Sequence, residues 1–143
     1  MTKALDFHKP SKQAQLMSPV ALAYIGDAVY ELLIRQYLVS LPNHKPNHMH
    51  KSATSYVSAK AQYAWLNKWL PYLSEEELDI VKRGRNAKSG TPPKNANVTD
   101  YRHATAFECL VGYLYISEQI ERLQELFEIG LRDIGDIEEA KKG

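Results

Sequence analysis

The chain has 143 residues, of which 44% are hydrophobic and 24% are charged, with a formal net charge of +1. This length suits one ordinary domain with a single core, and the composition excludes a disordered chain or one that is basic or acidic throughout. Cys109 is the only cysteine, which excludes an internal disulfide framework and a multi-cysteine zinc site. No run approaches the roughly 20 apolar residues that span a bilayer, and residues 1–17 lack the apolar segment of a signal peptide. We therefore expect a cytoplasmic protein with one domain over residues 1–143 and no membrane partner.

The first predicted element is a long helix over residues 18–39. Ser18 suits an N-cap and Pro19 suits the first helical position, where no amide donor is needed. Its apolar side chains recur at the i, i+3, i+4, i+7 spacing of a core-facing helix, and they are Leu22, Ile25, Val29, Leu32, Leu33 and Gln36 or Tyr37. Gly26 and Asp27 interrupt this pattern, and the glycine costs a helix about 1 kcal/mol relative to alanine. Something in the tertiary structure must compensate for them.

Three further helices are predicted, two of them before a polar segment over residues 84–99 and one after it. Residues 48–70 have helical spacing and are ended by Pro71. Ser74 and Glu77 form a capping-box pattern that opens a short helix, for which Gly84 is a suitable left-handed C-cap. A last helix is expected over about residues 118–134, followed by a solvated tail. These elements make an all-α fold.

A basic segment separates the third predicted helix from the fourth. Residues 84–99 contain two glycines, two prolines and three asparagines, and a loop of this length is usually functional or disordered. Residues 82–103 have a net charge of +5, whereas the rest of the chain has −4. The six basic residues are Lys82, Arg83, Arg85, Lys88, Lys94 and Arg102. Such a segment is typical of phosphate contact, although a solvated surface loop has the same composition.

The helix that begins at Asp100 carries a second carboxylate within an apolar pattern, Glu108. Small residues lie beside both acids in sequence or one helical turn away, and these are Ala23, Gly26, Ala28, Ala104, Thr105 and Gly112. Helices with small residues at their contact can approach closely, which compensates for the glycine. We therefore expect Asp27 and Glu108 to lie together.

Paired carboxylates allow two interpretations. The first is a structural pair in which Asp27 is held by Arg35, by Arg102 or by hydrogen bonds, because an unpaired buried charge is very costly. The second is a Mg²⁺ site, since magnesium takes oxygen ligands and often uses only one or two carboxylates beside substrate phosphates. With a basic loop nearby, the second interpretation favours phosphodiester hydrolysis. A metal site at His44, His48 and His50 is not favoured, because residues two apart do not share a helix face.

The two acidic helices resemble those of the ribonuclease III family. Residues 23–29, AYIGDAV, are similar to its signature helix, and residues 107–115, FECLVGYLY, are similar to its second metal-binding helix. Residues 82–90, KRGRNAKSG, and 101–105, YRHAT, are similar to the compact bacterial class called Mini-ribonuclease III. The resemblance covers nearly all of the chain. Two family acids are replaced here by Ala23 and Thr105, and the separate double-stranded RNA-binding domain of the classical enzyme is not expected within these residues.

The resemblance implies a magnesium-dependent endoribonuclease that acts as a homodimer on double-stranded RNA, in the maturation of precursor 23S ribosomal RNA. It assigns Asp27 and Glu108 as catalytic and metal-binding residues. The RNA-binding residues predicted with it are Arg83, Arg85, Lys88, Lys94 and Arg102. A non-catalytic RNA-binding or ribosome-associated domain on the same fold is the alternative. A histidine-aspartate phosphohydrolase is disfavoured, because no histidine here is followed by aspartate.

Overall fold

A computed structural model describes residues 8–87, Lys94 and residues 97–142, and for residues 133–142 it describes only the backbone. Within these residues the chain forms six α-helices and two short 3-10 helices, so the predicted all-α class is confirmed. The α-helices are α1 (Pro19–Ser40), α2 (Pro46–Val57), α3 (Ala59–Trp69), α4 (Glu75–Arg85), α5 (Val98–Ile116) and α6 (Ile120–Lys142). The 3-10 helices are Ala14–Leu16 and Leu70–Tyr72. No helix in the described part of the chain is long and apolar enough to cross a membrane.

Helix α5 lies at the centre of the fold. It packs against α1, α3 and α4. Ten of its residues from Ala104 to Leu114 are buried. Such a helix, apolar on nearly all sides, must be covered by neighbours all round. Aromatic rings fill the space between α5 and its neighbours in edge-to-face and tilted contacts, and these belong to Tyr30, Trp65, Trp69, Phe107 and Phe127.

The first helix begins where the sequence predicts. The Ser18 hydroxyl accepts a hydrogen bond from the Ala21 amide at 3.1 Å, and Pro19 occupies the first turn. Its predicted core face is partly wrong, because Leu32 is 45% exposed whereas Tyr30 and Ile34 are fully buried. Helix α1 carries apolar residues on more than one face, so spacing alone does not identify the face that meets α5.

The predicted helix over residues 48–70 is wrong as a single element, because Ser58 breaks it. Ser58 has an extended backbone (ψ 155°), and its hydroxyl accepts from the Ala61 amide at 3.2 Å to cap α3. Gly84 is not a C-cap, since it lies inside α4 and Asn86 occupies the C-cap position. Helix α5 begins at Val98 with Asn97 as its N-cap, two residues earlier than predicted. The backbone of α6 continues through the tail that we expected to be solvated.

An ion pair between partly exposed Arg122 and buried Glu77 joins α4 to α6. The predicted capping box is confirmed, with the Ser74 amide donating to Glu77 at 2.9 Å and the Glu77 amide donating to the Ser74 hydroxyl at 3.2 Å. The same Glu77 carboxylate accepts two hydrogen bonds from the Arg122 guanidinium, at 2.9 and 2.8 Å. Arg122 also donates to the Tyr72 carbonyl at 2.7 Å. The hydrogen bonds from Arg122 hold the pKa of Glu77 below its ordinary value despite its burial.

Candidate active site

The site is built on a close crossing of α1 and α5. A Cβ atom placed on Gly26 would lie 1.8 Å from the Glu108 carbonyl oxygen, and one placed on Gly112 would lie 1.9 Å from the Leu22 carbonyl oxygen. Each glycine therefore leaves room for the backbone of the other helix, a contact that no side chain permits. This compensates for the low helix propensity of Gly26, as the sequence predicts, and it brings the residue after Gly26 beside α5.

The carboxyl groups of Asp27 and Glu108 meet at this crossing, within hydrogen-bonding reach of each other. They differ in surroundings, because Asp27 is exposed whereas Glu108 is partly buried between α1, α3 and α5. The expectation that the two acids lie together agrees with this arrangement. They stand at the solvent edge of the helix pair, so a ligand in solution can reach them.

Glu108 has a strongly perturbed acidity. Burial, then the hydrogen bond with Asp27 and its negative charge, raise the pKa of Glu108 to about 9. A hydrogen bond from the Gln62 side chain acts in the opposite direction, because an amide donor stabilises the carboxylate form. At neutral pH the pair therefore resists a second negative charge, and a cation placed between the two groups would relieve that resistance.

Gln62 was missed by the sequence reasoning. It lies on α3 with Trp65, Leu66 and Trp69 on the buried face, and only 2% of its surface is exposed. The sequence did carry a signal for Gln62. The helical spacing of α3 predicts that position 62 faces the core, and a polar side chain there is unusual. Gln62 lies close enough to Glu108 to act on the pKa of that carboxyl group, although the two residues are 46 positions apart in the sequence.

The structural interpretation, in which Arg35 holds Asp27 in an ion pair, is not supported. The Arg35 guanidinium donates to the Glu31 carboxylate at 2.8 Å, one turn away on the exposed side of α1. Arg102, the other basic residue considered for this role, is exposed near the start of α5. Thr105, at the position of a family acid, uses its hydroxyl to donate to the Tyr101 carbonyl at 3.0 Å.

The predicted RNA-binding residues are differently placed. Arg85, Lys94 and Arg102 are exposed, around the ends of α4 and α5 that the basic segment connects. Arg83 is partly buried, and its guanidinium donates to the carbonyls of Gln15 at 3.4 Å and Met17 at 3.1 Å. Those contacts fasten the segment before α1 to α4. Lys88 lies outside the described residues.

The donor set suits a hard cation with few protein ligands. Among the residues that the structure describes, no group of three or more histidine, cysteine, aspartate or glutamate side chains could hold a metal ion. Two adjacent carboxylates at a solvent edge match the way magnesium is usually held, by one or two carboxylates together with waters and substrate oxygens. The residues present therefore fit magnesium and do not fit a closed zinc site.

Comparison with known proteins defines the class of this fold and site. Residues 20–119 match the family model described as the ribonuclease III domain. A crystal structure of a protein from Fusobacterium nucleatum superposes with a TM-score of 0.77 at 31% identity, covering 85% of this chain and 99% of that one.

The particular family follows from curated relatives. The chain is 53% identical over 116 residues to the Mini-ribonuclease 3 of Brevibacillus brevis, covering 81% of this chain and 87% of that protein. It is 53% identical over 125 residues to the Mini-ribonuclease 3 of Enterococcus faecalis, covering 86% and 95%. The chain belongs to the Mini-ribonuclease 3 family within the ribonuclease III class, and the predicted resemblance is confirmed. It is therefore an endoribonuclease of the class that acts on double-stranded RNA.

Proposed function

We propose that this endoribonuclease is magnesium-dependent and that Asp27 and Glu108 hold the ion and carry the reaction. The observation that supports this most is the meeting of the two carboxyl groups at the glycine crossing of α1 and α5. The pair is accessible to solvent, and the raised pKa of Glu108, about 9, indicates a site that gains stability when a cation arrives.

A bound magnesium ion supplies Lewis acidity towards a phosphoryl oxygen and lowers the pKa of a bound water. The chain supplies the placement. Exposed Asp27 offers its carboxylate from the solvent side, while Glu108 offers the second from between the helices. The rigid backbone contact at Gly26 fixes the separation of these two groups, so that little reorganisation is needed when substrate binds.

Duplex RNA is held, in this proposal, by the cationic residues that flank the basic segment. Arg85, Lys94 and Arg102 are exposed and free to contact phosphates, and Lys88 is proposed with them from the sequence alone. Arg83 already donates to two backbone carbonyls, so its contribution to RNA is shared with a structural one. Recognition is by shape and backbone, because side chains cannot read the narrow major groove of A-form RNA.

We also propose that the active form is a homodimer through the exposed face of α1. Val20, Tyr24 and Leu32 lie at spacings of four and eight residues on that face and are 48%, 84% and 45% exposed. Ala28, between them, is exposed as well. A helix that leaves such a stripe uncovered in one chain has an apolar surface for a second copy. The stripe adjoins Asp27, so each site would lie close to the interface between the two copies.

The duplex proposed as the biological substrate is precursor 23S ribosomal RNA, as the family resemblance implies, and the proposed location is the cytoplasm. A chain with Cys109 as its single cysteine cannot form an internal disulfide, which fits a reducing compartment.

The test compares the unaltered protein with Asp27→Asn and with Glu31→Gln, a control on the same helix whose carboxylate pairs with Arg35 instead. Duplex RNA containing the precursor 23S sequence is incubated with each protein, with and without Mg²⁺. We expect cleavage only with magnesium, a loss of at least 100-fold in Asp27→Asn and little change in Glu31→Gln. If the unaltered protein binds duplex but never cleaves it, the non-catalytic RNA-binding alternative replaces the proposal. Equal cleavage by Asp27→Asn would remove the proposed site, and sedimentation as a strict monomer would remove the dimer.

A further inference from the structure

The rings of Tyr63 on α3 and His103 on α5 lie flat against each other, with centroids 4.0 Å apart and planes 14° apart. The aromatic pairs of the core are instead edge-to-face or tilted. Both residues of the stack are partly exposed, so the stack lies at the surface where α3 packs on α5. Packing between the two helices accounts for the faces of the rings, but it does not account for the polar edge of the His103 ring.

One nitrogen of the His103 ring is already engaged. His103 Nδ1 lies 2.8 Å from the Thr99 carbonyl oxygen, one turn earlier on α5. A carbonyl oxygen can only accept a hydrogen bond, so Nδ1 carries the proton and donates it. In the neutral ring Nε2 then carries no proton and is an acceptor. The backbone of α5 therefore selects the tautomer that presents an acceptor at Nε2.

The Nε2 atom of His103 is accessible from solvent. It makes no hydrogen bond with any residue that the structure describes. Within the same residues, Trp69 Nε1 is the only side-chain nitrogen or oxygen that is buried without a partner, so Nε2 is not buried. The stack and the Nδ1 bond hold the ring in one orientation, and a donor can bind there with little loss of conformational entropy.

The surroundings of the stack suit a polyanion. Arg102, next to His103, is exposed, and so is Lys60, one turn before Tyr63 on α3. Helix α3 contains no acidic residue. Glu108 follows His103 by five residues on α5, which is about 7.5 Å along the helix axis at 1.5 Å per residue. A duplex that reaches Glu108 is therefore within reach of the stack.

We propose that His103 is a specificity residue of this endoribonuclease, whose Nε2 accepts a hydrogen bond from a ribose 2′-hydroxyl of the duplex while Tyr63 holds the ring in place. Double-stranded RNA displays its 2′-hydroxyls in a wide, shallow minor groove, and this group distinguishes RNA from DNA. An ionised phosphate has no proton to donate to an acceptor nitrogen, so the neutral ring selects ribose. The inference rests on binding of duplex RNA and is independent of the proposed magnesium site.

The experiment measures binding, without Mg²⁺, to an all-ribose duplex and to a set of duplexes that each carry one 2′-deoxyribose at a successive position. His103→Phe keeps a ring for the stack and removes both nitrogens. Tyr63→Phe is the matched control, because it keeps the stack and removes the other polar atom. His103→Leu, which also lacks the nitrogens, is the second variant if His103→Phe does not fold. Folding of each protein is checked by circular dichroism.

For the unaltered protein we expect binding to weaken by about 3- to 10-fold when deoxyribose occupies the contacted position, as for the loss of one neutral hydrogen bond. His103→Phe should bind the all-ribose duplex more weakly by a similar factor and lose its response at that position alone. Tyr63→Phe should respond like the unaltered protein.

A deoxyribose profile of His103→Phe that matches the unaltered protein would overturn the inference. Weaker binding by His103→Phe with every deoxyribose response retained would overturn it as well, since the effect would then arise from packing or from a phosphate contact. A response lost in Tyr63→Phe but kept in His103→Phe would assign the contact to the tyrosine hydroxyl instead. Failure of magnesium-dependent cleavage, with this profile intact, would remove the proposed metal site and leave the role of His103 standing.

Discussion

Replacing Gly26 with alanine perturbs the crossing of α1 and α5 by a single methyl group. The new Cβ would lie 1.8 Å from the Glu108 carbonyl oxygen, 1.6 Å closer than the 3.4 Å at which ordinary contact begins. It would also lie 2.7 Å from the Glu108 carbonyl carbon and 2.8 Å from the Gly112 amide nitrogen. All three atoms belong to the backbone of a central helix, so a side chain cannot rotate away to relieve the clash. The two helices must separate by more than 1 Å or distort.

The size of the effect follows from two opposing contributions. Alanine improves the intrinsic helix propensity of position 26 by about 1 kcal/mol. Overpacking of a rigid core costs about 1–3 kcal/mol, and here the cost is at the upper end or above because both partners are backbone. We expect a net loss of about 2–3 kcal/mol in the free energy of unfolding. For a chain of this length that lowers the unfolding temperature by roughly 5–12 °C.

The rate of RNA cleavage by Gly26→Ala should fall by more than its lower stability alone would cause. Separation of the helices moves Glu108 away from Asp27, and a misplacement of about 1 Å can reduce the rate of an enzyme by about 100-fold. The assay is duplex RNA cleavage at saturating magnesium, at a temperature where thermal unfolding curves show the variant to be folded. Gly84→Ala is the matched control, since its Cβ would lie 2.9 Å from Ala106 Cα, a milder clash on the α4 side of α5. Wild-type stability together with wild-type cleavage in Gly26→Ala would refute the reasoning, and a destabilised but fully active variant would show that this crossing does not set the site.

Three further predictions concern charge. Glu108→Gln should stabilise the metal-free protein by up to about 5 kcal/mol at pH 8 in urea unfolding, since each pKa unit between 4.5 and the working pH is worth about 1.4 kcal/mol. The pKa of Glu108 is raised from 4.5 to about 9 in the folded state, so wild-type stability is fully present below pH 4.5 and declines as pH rises towards 9. Arg122→Ala should cost about 2–3 kcal/mol at pH 7, because it leaves the buried Glu77 carboxylate without its main partner. The pKa of Glu77 is lowered, so its stabilising contribution is lost as pH falls below 4.5, and the effect of Arg122→Ala should shrink there. Arg85→Ala and Arg102→Ala should each reduce the slope of duplex affinity against salt concentration by about 1, without changing sequence preference.

Each of these three predictions has an outcome that would contradict it. A metal-free Glu108→Gln protein no more stable than the wild type at pH 8 would show that the carboxyl pair carries no energetic cost. An effect of Arg122→Ala that is the same at pH 3.5 and pH 7 would mean that the arginine acts through packing alone. Unchanged salt dependence in both arginine variants would return the basic segment to a solvated surface loop. Lys51→Ala is the control for the last case, since Lys51 is exposed on α2, outside the basic segment.

The sequence by itself determined the elements whose signals are local. The N-cap at Ser18 and the capping box of Ser74 and Glu77 depend on side chains and amides three residues apart, and both are formed as predicted. The small residues around Asp27 and Glu108 predicted a close helix pair, because only glycine allows two helix backbones to touch. The family motifs followed from the same two stretches.

Other features were decided by the tertiary structure. Gly84 has the chemistry of a C-cap, yet it lies inside α4. The close approach of Ala106 and Cys109 leaves little room there for a Cβ, so this glycine serves helix packing and does not end the helix. The break at Ser58 could not be separated from a continuous helix by spacing, since serine caps a helix or sits within one according to what its neighbours pack against.

The site shows the same division. The approach of the two acids in the candidate site could be predicted from sequence, since each is an unusual residue in an apolar helix and has small residues beside it. Three features could not be predicted from sequence: the unequal exposure of the two acids, the raised pKa of Glu108 and the nearby amide of Gln62. They depend on which side of α5 each neighbouring helix covers. Burial and charge proximity are properties of three helices together. The approach of Asp27 to Glu108 is thus predicted by two short motifs, whereas the unequal burial of the two carboxyl groups depends on how α3 and α1 pack on α5.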